Sequence, residues 1–588
     1  MRAKTHESIL ADLKRKVIDL LSGVYEPDDV ELIADQLLAA MGLKARCTQP
    51  APRENKWSED DVLVITYGNS VVAPGEAPLA TLRRFLVERL AGVVSGVHIL
   101  PFCPFSSDDG FSVIDYHAVD PNLGDWSLIG EIAWEYDLMA DLVLNHVSAE
   151  SVWFENFKRG VDPGKDYFIT ADPSEDLSMV VRPRSSPLLT PVETVNGVRY
   201  VWSTFSADQV DLNFANPDVL VEIARVLRRY LQIGVRIFRL DAVAFLWKEK
   251  GTNCLHLPQT HRIIKLLRLL LEYREPDAIV VTETNVPNRE NLSYFGDADE
   301  AHVIYNFSLA PLLLHTMISG DCTHLMTWLM SMPPALMGAT FLNFIASHDG
   351  IGLRPAEGLL SDEELATLVE TMKSFGGRVS TRRLSDGTEK PYELNIALWD
   401  ALQGTQRGPD SFQERRFLCA HAVMLALEGI PSFYFHSLVA GGNDYAKLER
   451  TQHSRSINRR NWDAAELAAK LDNPSSHHSR VFGELSRLIR VRRAQPAFHP
   501  NATQYTLHLG PKIFGFWRQS IDRSQSIFAI HNVSDEPQKL SLLQVNLIST
   551  DEWVDLIGGG GVDDLDGEIV IEPYQAMWLT NKGQSLGA

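Results

Sequence analysis

The chain has 588 residues, 45% hydrophobic and 22% charged, with a formal net charge of −21. So acidic a surface disfavours nucleic acid and anionic membranes as partners, because both need a basic face. No stretch approaches the ~20 uninterrupted apolar residues of a membrane span. Five dispersed cysteines (Cys47, Cys103, Cys254, Cys322, Cys419) without a CxxC pair point to reduced thiols in the cytoplasm.

Residues 1–58 read as helical, with Ile9, Leu10, Leu13, Val17, Leu20 and Leu21 at helical spacing. They precede the first buried strand and are expected to pack outside the main domain without chemistry of their own. From Asp61 the pattern changes to short apolar runs alternating with amphipathic helices. The runs are Val62–Tyr67, Val94–Leu100, Met139–Leu144, Arg236–Leu240, Ile279–Glu283, Ala301–Tyr305, Phe341–Ala346 and Pro431–Phe435. Helical patterns such as Leu79–Leu90, Val219–Leu231, His261–Tyr273 and Arg415–Leu427 intervene.

Eight strand–helix alternations predict an α/β fold, a closed (β/α)8 TIM barrel. An open dinucleotide-binding sheet would carry a Gly-rich turn after its first strand, and Tyr67-Gly-Asn-Ser-Val-Val is not one. The barrel is expected in three pieces, 59–147, 216–350 and 411–494. Two connections, 148–215 and 351–410, are too long for simple loops and predict lid subdomains over the active face. Residues 495–588 turn all-β (Tyr505–Leu509, Ile513–Trp517, Ser526–His531, Ile569–Ile571), which predicts a C-terminal β-sandwich.

The polar clusters fall at predicted strand ends. The third run continues Asp141-Leu-Val-Leu-Asn145-His146, the fourth Arg239-Leu-Asp241, the fifth Glu283-Thr-Asn285, and the seventh Ser347-His348-Asp349-Gly350. Charges at the C-terminal ends of barrel strands read as catalytic. Arg239 and Asp241 are two apart and therefore share a side of their strand. Asp241 and Glu283 are one strand–helix repeat apart, on neighbouring strands. Such strand ends bring two carboxylates to the ~5–5.5 Å of a retaining glycoside mechanism. Arg239 is expected to hold Asp241 ionised, and Glu283, backed by an apolar run, to have the raised pKa of an acid. Asp349 lies farther round the mouth and suits electrostatic stabilisation of an oxocarbenium-like transition state.

This constellation resembles the α-amylase superfamily over about residues 60–580 and, more narrowly, its sucrose phosphorylase branch. The matching stretches are Gly96-Val-His-Ile-Leu-Pro-Phe, Asp109-Gly-Phe-Ser-Val-Ile-Asp-Tyr116, Leu123-Gly-Asp-Trp126 and Arg182-Pro-Arg184. Others are Ala310-Pro-Leu-Leu-Leu-His315, His348-Asp-Gly-Ile-Gly352, Ala440-Gly-Gly-Asn-Asp444 and Arg455-Ser-Ile-Asn-Arg459. The resemblance implies Asp241 as nucleophile, Glu283 as acid/base and Asp349 as transition-state stabiliser. It further implies glucosyl contacts from Asp108, His146, Arg239, His348 and Arg455, Phe111 packing on the sugar, and Phe205 and Gln209 lining the site. Arg184 and Tyr392 match its phosphate-contacting residues, and a guanidinium fork suits an oxyanion.

The acceptor lid departs from the sucrose enzymes. It reads Thr388-Glu-Lys-Pro-Tyr-Glu-Leu-Asn395, with Lys390 and Glu393 where those enzymes carry an aspartate and a glutamine that bind fructose. Together with Arg182-Pro-Arg-Ser-Ser-Pro-Leu-Leu-Thr190, this looks like the glucosylglycerate phosphorylase members, and Lys390 suits an anionic acceptor electrostatically. The resemblance therefore implies a cytoplasmic phosphorylase acting on a small α-glucoside and inorganic phosphate, as monomer or homodimer. Fructose, fructose 6-phosphate or glycerol as acceptor, or mainly hydrolysis, are the alternatives. A non-catalytic scaffold is the reading from another class, although the three carboxylates such proteins lose are all present. No oxygen-rich calcium loop stands out, and the reading includes no metal and no cofactor.

Overall fold

The computed structural model describes residues 5–51, 54–184, 186–383, 388–545, 547, 552–562 and 564–581. Ser185, inside the first lid motif, lies outside them. The apolar runs form eight parallel strands, β1 (Leu63–Thr66), β2 (Gly96–Ile99), β3 (Asp137–Val143), β4 (Val235–Asp241), β5 (Ile279–Thr282), β6 (Val303–Tyr305), β7 (Thr340–Asn343) and β8 (Ile430–Tyr434). They close into one barrel in chain order, with β8 beside β1.

Strand alternation divides the core in two. Leu63, Met139, Ile237, Ile279, Val281, Val303, Leu342 and Ile430 form a cluster of their own inside the barrel. Phe238, Leu240, Val280 and Ile304 join the larger cluster shared with the surrounding helices. Ile237, Arg239 and Asp241 share parity, so an inward stripe that starts aliphatic ends in charge at the C-terminal mouth. Gly96 permits the close approach of β1 and β3: a Cβ there would stand 2.4 Å from Leu63 Cδ2 and 2.8 Å from the Asp137 carbonyl oxygen.

The N-terminal helices His6–Leu21 and Val30–Ala40 pack outside the barrel. Lys16 Nζ reaches the Tyr273 hydroxyl at 2.9 Å, on the helix Pro258–Arg274. The expected helix Leu79–Leu90 is an α-helix over Pro78–Phe85 continued by a π-turn, Leu86–Leu90.

Two connections carry structure of their own. The one after β3 contains helix Val152–Arg159 and a hairpin, Leu189–Thr194 with Gly197–Trp202. The one after β7 contains helix Asp362–Ser374, opened by a Ser361–Glu364 capping box, and a hairpin, Arg378–Arg383 with Glu389–Asn395. The hairpin register shifts where Ser380 pairs Glu393 and Thr381 pairs Pro391, so Tyr392 is the extra residue of a bulge. Near the C-terminus, Thr503–Leu507, Ile513–Gln519, Ser526–Asn532, Ala576–Thr580 and Val554–Asp555 make a five-stranded sheet. Gln538–Ser541 and Glu568–Ile571 form a second sheet. Ile513, Phe528, Ile530, Leu540, Ile571 and Leu579 share one core between them, which makes a sandwich. Among the described residues no helix is long and apolar enough to cross a membrane.

Candidate active site

β4 delivers Asp241 at its last residue and Arg239 two positions earlier, 8% and 2% exposed. Arg239 Nη1 donates to Asp241 Oδ1 at 2.7 Å and also to Asp141 Oδ1, directly across on β3. Asp141 accepts a second bond, 2.7 Å, from His98 Nε2 on β2. Glu283, the residue after β5, stands 4.0 Å from Arg239 Nη2 and accepts from the Ala242 amide at 3.0 Å. Ala242 has a left-handed φ of 50°, as do Asp108 (51°) and Asp109 (49°). Three such non-glycine residues at one mouth store about 1–3 kcal/mol of strain each, which recurs at functional sites.

Charge is unevenly shared. Burial would raise Asp141, but Arg239 and His98 hold its carboxyl below the ordinary range. Burial raises Asp241 well above that range; Arg239 opposes the shift, and the charges of Glu283 and Asp141 add to it. Burial also raises Glu283, again against Arg239 and with help from Asp349. Arg239, expected to hold Asp241 ionised, does bond it but is shared with Asp141, which takes part of that guanidinium. Asp241 and Glu283 titrate as one raised pair. Of their two singly protonated forms, the Arg239 bond at 2.7 Å against 4.0 Å favours the anion on Asp241.

Asp349 is half-buried; desolvation would raise it, but Arg455, His348 and Arg459 hold it ionised, below the ordinary range. Arg455 Nη1 is 2.7 Å from Asp349 Oδ1 and 3.7 Å from Asp108 Oδ1. Arg459 donates to the His348 carbonyl at 2.8 Å and to Asp109 at 2.6 Å. Burial pushes the His348 imidazole down to about 3, and neither ring nitrogen has a hydrogen-bond partner. Its ring stacks on Phe111 at 5.1 Å, 4° from parallel. The Phe111 carbonyl in turn accepts from His146 Nε2 at 2.9 Å and Gln209 Nε2 at 3.2 Å. Phe205 packs on His146 at 5.1 Å.

One pocket is thus lined by Asp108, Phe111, His146, Phe205, Gln209, Asp241, Glu283, His348, Asp349 and Arg455, with Arg184, Tyr392 and Glu393 from the long connections. A larger cavity, about 810 Å³, lies beside helix His6–Leu21. Its charges neutralise one another, as in Arg268–Glu272 (3.0 Å) and Lys265–Asp299 (2.9 Å).

Residues 92–350 match the family model of the α-amylase catalytic domain. The chain is 44% identical to the glucosylglycerate phosphorylase of Allomeiothermus silvanus, over 97% of its own length and 99% of that protein's. The chain belongs to the sucrose phosphorylase branch of the α-amylase superfamily. The glucosylglycerate phosphorylase of Escherichia coli is 39% identical over 96% of this chain and 100% of its own. The crystal structure of sucrose 6F-phosphate phosphorylase from Thermoanaerobacter thermosaccharolyticum superposes with a TM-score of 0.70 at 25% identity, covering 81% of this chain and 94% of that one.

Within this phosphorylase-type pocket the lid residues separate. Tyr392 is buried, its phenol pushed up to about 12 by burial and by Glu393, with Arg184 opposing. Glu393 accepts two bonds from Arg455, at 3.0 and 2.9 Å. Lys390 does not join them: its Nζ lies 3.4 Å from Asp362 and 3.6 Å from Glu357, and the expectation that it faces the acceptor is corrected. Lys390 pairs Arg382 and Glu393 pairs Ser380, so the two share a face of the hairpin, but Lys390 lies farther toward its tip, where Glu357 and Asp362 engage it, while Tyr392 and Glu393 line the pocket. The pocket also holds Asn285, from the polar cluster after β5, and Arg354, not singled out in the sequence. The signal for Arg354 was its place two residues after His348-Asp-Gly-Ile-Gly352.

Proposed function

We propose that this chain is a retaining α-glucoside phosphorylase converting 2-O-α-D-glucosylglycerate and phosphate to α-D-glucose 1-phosphate and D-glycerate. The observation that carries the reading is its near-full-length similarity, 44% and 39% identity, to two glucosylglycerate phosphorylases. The pocket chemistry supports it.

In the first displacement Glu283 protonates the glycosidic oxygen while the Asp241 carboxylate attacks the anomeric carbon, releasing glycerate and leaving a β-glucosyl ester. Both carboxyls are raised, so the pair keeps a proton to higher pH than ordinary carboxyls would. Asp349, ionised and held by Arg455, stabilises the positive charge that develops on the ring. Burial keeps His348 neutral, with Nε2 3.3 Å from Asp349 Oδ1 and Nδ1 without a partner for a sugar hydroxyl. His146, Arg239, Asp108 and Arg455 complete the glucosyl contacts, with Phe111 as the apolar platform and Phe205 and Gln209 closing the wall. In the second displacement phosphate, bound by Arg184 and Tyr392, attacks from the face glycerate left, and Glu283 takes its proton. Two inversions restore the α configuration.

Incubation with glucosylglycerate and phosphate tests the reading. It is expected to yield glucose 1-phosphate and glycerate in equal amounts; free glucose without glucose 1-phosphate would overturn it.

A further inference from the structure

Arg354 is a pocket arginine with no carboxylate of the described residues closer than 4.0 Å. It follows the short strand Ile351–Gly352 and lines the pocket beside Glu283, Asn285 and Tyr392. Its side chain is 12% exposed, and among the described residues the carboxylate that reaches it within 4.0 Å is Glu290, with Glu357 acting on its charge from farther away. The buried arginines around it are each engaged: Arg239 with Asp241 at 2.7 Å, Arg455 with Glu393 at 2.9 Å, Arg459 with Asp109 at 2.6 Å. A guanidinium that has lost water for one carboxylate contact at 4.0 Å is weakly compensated, and burial lowers its pKa against the pull of Glu290 and Glu357.

Next to it, Asn285 donates through Nδ2 to the Tyr392 hydroxyl at 3.3 Å, which leaves its buried Oδ1 unpartnered. Glycine at 352 keeps that carboxamide in place, since a Cβ there would stand 3.0 Å from both Asn285 Nδ2 and Oδ1. The pocket thus presents one cationic fork and one neutral acceptor side by side. A neutral polyol offers the fork hydroxyl oxygens but no anion. A small hydroxy acid answers both, its carboxylate to the guanidinium and a hydroxyl to the carboxamide oxygen.

We propose that Arg354 binds the carboxylate of the acceptor while Asn285 Oδ1 accepts from its hydroxyl, so that Arg354, rather than Lys390, selects a hydroxy acid. The inference rests on the phosphorylase reading above, and it leaves Arg184 to phosphate.

The test runs the reaction in the synthetic direction, with glucose 1-phosphate as donor and either D-glycerate or glycerol as acceptor. The readout is the ratio of the two kcat/KM values, from which general damage cancels. Arg354→Gln is expected to lower the glycerate preference about 10- to 100-fold, the worth of one charge-assisted contact. Arg354→Lys, which keeps the charge and loses the fork, should fall between. Equal losses for both acceptors, a preserved preference in both variants, or a KM for phosphate that rises as much as that for glycerate would overturn the assignment. The wild-type arm separates the two readings: an unsubstituted enzyme that takes glycerol as readily as D-glycerate overturns the function itself.

Discussion

Glu393 grips Arg455 through two hydrogen bonds, Oε1 accepting from Nη2 at 2.9 Å and Oε2 from Nε at 3.0 Å. Glu393 belongs to the connection after β7 and Arg455 to the turn after β8, where its Nη1 meets Asp349 at 2.7 Å. The hairpin therefore aims the arginine, and the arginine in turn fixes Asp349. Glu393 thus acts on the sugar site as a positioning residue.

Glu393→Ala is expected to lower kcat/KM for the glucoside about 10- to 100-fold, as for other supporting contacts. Leaving Arg455 short of a buried partner should also cost about 3 kcal/mol of stability, measured as denaturant midpoint. Glu393→Gln keeps an acceptor and should recover most of the activity. Equal losses in the two variants would show that the side chain does not act by positioning.

Glu283→Gln and Asp241→Asn should part company on a substrate whose leaving group needs no proton. With α-glucosyl fluoride, the Gln variant is expected to form the glucosyl-enzyme, whereas with the natural glucoside it loses about 10²–10⁴-fold. The Asn variant should fail with both. The pH profile carries the same assignment. Burial raises Glu283, so its acid form persists above the ordinary carboxyl range and the rate falls as pH rises through that raised value. That alkaline limb should vanish in Glu283→Gln; its survival would assign the acid elsewhere.

Asp141→Asn probes the sharing of Arg239. The Asp141 charge helps to raise Asp241 and draws on the same Arg239 nitrogen. With the charge gone, Arg239 serves Asp241 alone, and the Asp241 carboxyl should ionise at lower pH. The acid limb of kcat/KM is then expected to move to lower pH, a measurement an isosteric Asn should allow. A limb that stays in place would mean the two carboxylates do not compete.

Arg184→Gln tests phosphate capture. Its expected effect is a KM for phosphate raised about 10-fold or more. The share of free glucose among the products should rise, because water attacks an ester that phosphate reaches too slowly. Quantifying glucose against glucose 1-phosphate across a phosphate series decides it.

The barrel was legible because each strand is a local pattern. Apolar runs buried on two faces alternate with amphipathic helices, and the charged exceptions (Asp141, Arg239, Asp241, Glu283) sit at the ends that face the mouth. The pairing of Arg239 with Asp141 was not legible, since it depends on the β3–β4 register that sets the two directly opposite. Lys390 was read as an acceptor residue from its place in the lid motif and its charge, and the folded lid instead sets it beside Asp362 and Glu357. Arg354 was not singled out, and Asn285 was given no role, because an arginine or asparagine in a sequence does not show whether it has a partner.

The sequence by itself determined the architecture and the strand ends at which carboxylates accumulate, because both follow from the spacing of apolar and charged residues along the chain. Only the tertiary structure decided how those charges are shared and which lid side chains face the acceptor. The physical reason is that desolvation and ion pairing depend on what is absent around a group as much as on what is present. For Asp241, Arg239 and Arg354 that balance exists only once strands and hairpins have closed around the pocket.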